Sequence, residues 1–478
     1  MQAFNPYLPS WEYIPDGEPY VFDGRVYVYG SHDRFNGHVF CIGDYICWSA
    51  PVDDLADWRY EGVIYKKTQD PRNADGHSCL YAPDVTIGPD GRYYLYYVLD
   101  HEQIVSVAVC DTPAGHYEFY GFVHYKDGAL LGEREGDDPQ FDPGLLTEGD
   151  RTYLYTGFCF PHDKTRGGAM CTVLGPDMLT IEEDPIFVAP PVRLSAGTGF
   201  EGHEFFEAPS IRERNGIYYF IYSSIVMHEF CYATSTSPKG PFTYGGVLIS
   251  NSDRGIDTYK PADKPMNMEA NNHGSIVQIG EKWYIFYHRH TNGHQYSRQD
   301  CAEEIHFTEE GLIPQVEVTS CGLNGGPLQG EGTYPAYIAT GFTTEPNVLK
   351  RGPGLDPRFP RITQEGGDYD PEIMEGTGLP TPDAYINNLM DGATAVFKYF
   401  DCKGTKLTAI TTRNYARGYI EVKTALDGAP LGRIEVSEFT NIWTRREGCI
   451  PIPDGVQMLC LTFHGFGNLA IKDFTLTK

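Results

Sequence analysis

Residues 202–224 read GHEFFEAPSIRERNGIYYFIYSS. An acidic residue, Glu207, stands among aromatics ahead of an Asn-Gly turn, and the run behind the turn alternates with the two-residue period of a half-buried strand. The same layout recurs as DGRVYVYG (23–30), DGRYYLYY (90–97), GDRTYLYTG (149–157) and GEKWYIFYH (280–288). The matching tyrosines, Tyr27, Tyr94, Tyr153, Tyr219 and Tyr284, are spaced by 67, 59, 66 and 65 residues. A repeat of this length is one supersecondary unit, and DWRYEGVIY (57–65), HYEFYGFVHY (116–125) and GPFTYGGVLI (240–249) supply further strands within it. Five units of about four strands, with weaker outer strands in DMLTIEEDPIFV and EEIHFTEEGLIP, predict an all-β five-bladed β-propeller over residues 1–320.

Beyond Ser320 the repeat stops. CGLNGGPLQGEGTYP opens a Gly-rich stretch read as a linker, 321–344, and residues 346–382 are rich in Pro, Gly and acids and read as irregular cover. Short strands then return, such as KLTAITTR, GYIEVKTA and VQMLCLTFHG, and predict a β-sandwich over 345–478.

Composition narrows the chemistry. With Lys+Arg 37 against Asp+Glu 65, the formal charge is −28, which repels nucleic-acid phosphates and anionic membranes and leaves a neutral ligand as the expected partner. No apolar run is long enough to span a bilayer, and MQAFNPYLPSWEYIPDGEPY lacks a basic segment followed by an apolar one, so a soluble cytoplasmic protein is expected. Twelve cysteines without a CxxC pair fit buried free thiols in a reducing compartment.

Counting back from the five tyrosines finds Asp16, Asp84, Asp142, Glu207 and His273 at offsets of 11, 10, 11, 12 and 11. Ring symmetry turns equal offsets into proximity, so four carboxylates and a histidine are expected at the propeller axis. For Asp84, in YAPDV, hydrogen bonding to backbone is the preferred reading. Crowded, dehydrated carboxyls raise one another's pKa, and glycoside hydrolysis requires one protonated and one ionised carboxyl. Tyr81, Phe158, Phe205 and Phe206 are candidate platforms for apolar sugar faces, and His32 and Asp33 candidate hydroxyl contacts.

At these residues the chain resembles glycoside hydrolase family 43, over about residues 5–320. IPDGEPYVFDGRVYVYGSHD resembles the segment with the family's general base, which implies that role for Asp16, although Gly17 stands where the family usually has Pro. FDPGLLTEGDRTYLYTG implies Asp142 as the aspartate that raises and orients the acid, ahead of its neighbours Asp137 and Asp138. FEAPSIRERNGIYYFIYSS implies Glu207 as general acid rather than Glu201 or Glu204. NNHGSIV places His273 at a pore position that in some members holds calcium through waters, and HQYSRQDCAEEI places Arg298 on a sugar-contacting arginine. The resemblance implies inverting hydrolysis of α-L-arabinofuranosides or β-D-xylosides without a cofactor in the chemistry. Endo-arabinanase action and a non-catalytic carbohydrate-binding propeller are the alternatives. The C-terminal part resembles a family 6 carbohydrate-binding module, with Tyr415, Tyr419 and Trp443 as possible contacts.

Overall fold

The computed structural model describes residues 1–344, 359–374, 377–437 and 439–478. Its first part is the expected propeller. Blade I is β1 (Glu18–Phe22), β2 (Arg25–Tyr29), β3 (Tyr45–Pro51) and β4 (Arg59–Tyr65). Blade II is β5 (Asp84–Ile87), β6 (Tyr93–Tyr97), β7 (Ser106–Cys110) and β8 (Glu118–Phe122). Blade III is β9 (Gly144–Glu148), β10 (Arg151–Thr156), β11 (Ala169–Leu174) and β12 (Ile181–Ala189). Blade IV is β13 (Phe205–Arg214), β14 (Ile217–Ser224), β15 (Glu229–Ser235) and β16 (Thr243–Ser250). Blade V is β17 (Ser275–Ile279), β18 (Lys282–Arg289) and β19 (Gln299–Ile305).

Each blade is an antiparallel meander, and the innermost strands pack against one another around the axis, with β17 meeting β1 to close the ring. The strand tyrosines fill the layers between blades. Tyr29, Tyr45, Tyr65 and Tyr97 are fully buried between blades I and II, where a large ring with a polar tip covers much apolar area and still finds a hydrogen-bond partner.

Blade V departs from the four-strand expectation. Among the described residues it has three strands, because EEGLIP forms a turn, with Thr308 N–H donating to Leu312 O, instead of an outer strand. The N-terminal segment covers the gap. Asn5 Nδ2 donates to Ala302 O at 2.8 Å and Ala302 N–H donates to Asn5 Oδ1 at 3.0 Å, so a side-chain amide satisfies the free edge of β19 as a neighbouring strand would.

The C-terminal part is the expected sandwich, two six-stranded sheets around a core that includes Phe397, Ile410, Leu461 and Phe474. The stretch 321–344, expected as a linker, instead gives it three strands, Leu328–Gln329, Gly332–Pro335 and Gly341–Thr343. Each is too short for a two-residue period to show in the sequence. Of the expected irregular cover, 346–358 lies outside the described residues, Arg361–Gln364 is a strand and Pro371–Met374 a helical turn. All twelve cysteines are free thiols, ten of them buried. No helix among the described residues is long and apolar enough to cross a membrane.

Candidate active site

The polar residues do not form the single five-membered ring that equal offsets suggested. The residues paired across from the second strands are Glu18, Asp84, Gly144, Ser210 and Ser275, one level deeper along the axis. Two residues earlier in each blade come Asp16, Ala82, Asp142, Ala208 and His273. Two local features explain the difference. The turn between β5 and β6 is longer than its counterparts, so Asp84 belongs to the deeper level and Ala82 takes the upper one. In β13 a bulge between Phe205 and Ser210 pushes Glu207 one place out of register.

The deeper level is structural. Asp84 accepts from Tyr20 Oη at 2.7 Å, Val85 N at 2.7 Å and Leu145 N at 2.6 Å, as its preferred reading had it. Arg212 donates to Glu18 Oε2 at 2.7 Å and lies over the Tyr20 ring, supplying one cation to the buried acids Glu18 and Asp84.

The upper level is a site. Asp16 and Asp142 have φ of 62° and 44° and Ala208 has 62°, left-handed values that Asp tolerates better than most residues and that hold the chain at the mouth of each inner strand. Arg298 Nη1 donates to Asp16 Oδ1 at 2.9 Å, and the His288 ring lies 3.3 Å from the same oxygen. Ala208 N–H donates to Asp142 Oδ2 at 3.2 Å, so the strained residue beside Glu207 also fixes the third acid. His273 Nδ1 stands 3.7 Å from Asp142 and 3.9 Å from Asp16. Burial lowers the His273 pKa to about 4, with Asp16 opposing, so the imidazole is neutral near pH 7.

Glu207 faces the cavity on one side and protein on the others. Burial, reinforced by the charge of Asp16, raises its pKa to about 8. Asp142 is also raised well above the ordinary value, by burial and then by Glu207. Repulsion by Asp142 was expected to raise Glu207; instead burial is the larger cause and the like charge acting on Glu207 is that of Asp16, while Glu207 in turn raises Asp142.

These groups line a cavity of about 470 Å³ together with Tyr81, Phe158, Phe206 and Arg298, all four anticipated. Tyr81 meets Phe141 edge-on at 5.5 Å, Phe141 lies 4.9 Å from Phe158, and Phe158 lies 5.3 Å from Phe206, giving a continuous aromatic wall. Phe40, Phe141, Phe160, Asn271 and Gln295 also line it and escaped the sequence reading. Their blades share no register there: they come from loops, where periodicity carries no signal. Phe205 points instead into the core between blades III and IV.

Two anticipated sugar contacts are corrected. His32 is buried away from the cavity, its ring 3.1 Å from Glu12 Oε1 and 3.2 Å from Asp44 O. Asp33 accepts from Arg298 Nε at 2.8 Å and Nη2 at 3.1 Å, so it braces the arginine that holds Asp16. The competing acids are engaged elsewhere: Asp137 with Tyr125 and Gly132, Asp138 with Gly167, Glu204 with Ser195, Glu201 with Gly197. Among the described residues His273 belongs to no group of three ligating atoms, so protein side chains alone do not make a calcium site there, and the calcium that the resemblance implied would reach His273 through waters.

A sequence profile described as "Glycosyl hydrolases family 43" matches residues 16–313, a span that begins at Asp16 and takes in Asp142, Glu207, His273 and Arg298. The chain is a family 43 glycosyl hydrolase. A curated relative from Thermoclostridium stercorarium, "Xylosidase/arabinosidase", is 64% identical over 478 residues, 99% of each chain. Another family 43 structure, the GH43_1 enzyme of Xanthomonas citri complexed with xylotriose, matches with TM-score 0.52 and 26% identity over 64% of this chain and 91% of that one. An arabinoxylan arabinofuranohydrolase from Bacillus subtilis matches 99% of this chain and 97% of its own with TM-score 0.52 and 20% identity, a likeness of fold alone that spans propeller and sandwich.

Proposed function

We propose that this glycosidase removes terminal β-D-xylosyl and α-L-arabinofuranosyl residues from hemicellulose-derived oligosaccharides by single displacement with inversion. One observation carries the reading: Glu207, whose pKa is pushed up to about 8 by burial and the charge of Asp16, shares one cavity with Asp16, which Arg298 holds. Glu207 donates its proton to the departing glycosidic oxygen. Asp16 takes a proton from water on the opposite face of the ring, its Oδ1 fixed by Arg298. Such pairs stand about 6.5–9.5 Å apart to admit the water. Asp142 shares the proton economy of Glu207, and neutral His273 separates it from Asp16 without adding charge.

Substrate class rests on the relative named xylosidase/arabinosidase and on the xylotriose complex of the Xanthomonas citri enzyme. The aromatic wall from Tyr81 to Phe206 offers stacking surface to sugar C–H faces while the acids and Arg298 gather the hydroxyls. Activity toward nitrophenyl xyloside, nitrophenyl arabinofuranoside and xylo-oligosaccharides tests it. Monosaccharide release is expected from all three; a ladder of oligosaccharides from arabinan, or binding without turnover, would replace this reading with an endo-acting enzyme or a binding propeller.

A further inference from the structure

Blade IV gathers a second set of polar side chains, away from the cavity. His203, in the turn before β13, places Nδ1 2.7 Å from Glu229 Oε2 at the start of β15. Ser224 Oγ lies 3.0 Å from the same oxygen, and Cys231 Sγ lies 3.8 Å from it. The ligating atoms of His203, Glu229 and Cys231 all fall within 4.8 Å of one another. Glu229 and Cys231 are two apart on one strand and so project from one face.

An ion pair between His203 and Glu229 would be complete without the thiol. Cys231 is buried in the core between blades III and IV, where a thiol serves as a small hydrophobe, yet its sulfur also turns toward the carboxylate that takes the imidazole. A thiol is a weak hydrogen-bond donor and gains little there. An imidazole nitrogen, a carboxylate oxygen and a thiolate sulfur are together a borderline-soft donor set, suited to zinc rather than to calcium or magnesium. The surroundings hold the donors in place: the His203 ring stacks on Tyr244 at 4.9 Å and 11°, and Tyr222 Oη donates to His203 O at 2.7 Å. The His203 side chain is 34% exposed, which leaves one flank open to solvent for a fourth, water ligand.

We propose that His203, Glu229 and Cys231 form a zinc-type divalent-metal site that clamps the turn ahead of β13 to the start of β15. Binding forms Zn–N, Zn–O and Zn–S bonds. The thiol proton leaves to solvent, and a proton on Nδ1 leaves or moves to Nε2; no electrons are transferred. The site holds the blade that carries Glu207 and takes no part in hydrolysis.

The test uses the full chain, stripped with a chelator, kept reduced without thiols, and titrated with cobalt(II) chloride and then zinc chloride. Wild type is expected to show a saturable thiolate-to-cobalt charge-transfer band that zinc abolishes, and a zinc-dependent rise in Tm. Cys231→Ser should lose the band while hydrolysing nitrophenyl xyloside as wild type does, and His203→Gln should lose saturable binding. No band in wild type would overturn the proposal and leave an ion pair only. A band that persists undiminished in Cys231→Ser would overturn it too, assigning the metal to another thiol such as exposed Cys449. Should Cys231→Ser fail to fold, undiminished cobalt binding in His203→Gln has the same force.

Discussion

The decisive residue is Glu207, whose carboxyl is set by where it sits rather than by a dedicated partner. Its pKa of about 8 against an ordinary 4.5 means the folded chain binds that proton more tightly than the unfolded one. Its contribution to stability is therefore fully present below pH 4.5 and is lost as pH rises through about 8. Activity should fall over the same alkaline range as the acid loses its proton, which a pH profile of kcat reads directly. Glu207→Gln removes this residue's share of both dependences: a Tm above wild type at about pH 9 and matching it near pH 4 is expected by calorimetry. The same variant should lose roughly 10²–10⁴-fold in kcat on xylobiose but much less on an activated aryl glycoside, whose leaving group needs no proton. Equal losses on both substrates would remove the acid role. Glu207 was legible from its place before the strand; the bulge that displaces it shows in the sequence only as an offset of 12 where three other units have 11, a difference that a longer turn would produce equally well.

At the scale of elements, the loop between β2 and β3 and the segment ahead of β19 act together. Asp33 from the first grips Arg298 from the second, and Phe40 from the first covers the guanidinium at 4.7 Å. Arg298 then fixes Asp16. Asp33→Ala should lower kcat by about 10²-fold, since it loosens the Arg298 that fixes Asp16, and should raise KM as well, since Arg298 also lines the sugar cavity. A rise in KM at constant kcat would return Asp33 to the role of hydroxyl ligand. Five strand tyrosines at even spacing made the blades readable, because each repeat must bury the same face. The loops lining the cavity carry no such repetition, so Phe40, Phe141 and Gln295 appear only once the ring is closed. Asp84 shows the limit of the method from the other side: one longer turn moves a matching acid to another level.

At the scale of the molecule, the propeller and sandwich share a buried ion cluster. Lys398 of the sandwich, fully buried, donates to Asp253 at 2.8 Å and Glu317 at 3.0 Å and stands 3.7 Å over the Tyr259 ring. Lys398→Ala leaves Asp253 buried without its cation and should cost about 3–5 kcal/mol in chemical denaturation, while Lys398→Met paired with Asp253→Asn recovers part of it. Of the aromatics anticipated on the sandwich, Tyr415 is exposed beside Phe439, whereas Trp443 donates to Glu365 and lies under Arg413. The sandwich was readable as a fold from its later strands, and its first strands were hidden by their shortness.

In the proposed mechanism one protonated and one ionised carboxyl act on opposite faces of the glycosidic bond, and the product records whether they do. Proton NMR of the first xylose released from a nitrophenyl β-D-xyloside, taken before mutarotation, reads the anomer. The account predicts α-xylose as the initial product; β-xylose would mean a covalent intermediate and would contradict the roles given to Asp16 and Glu207.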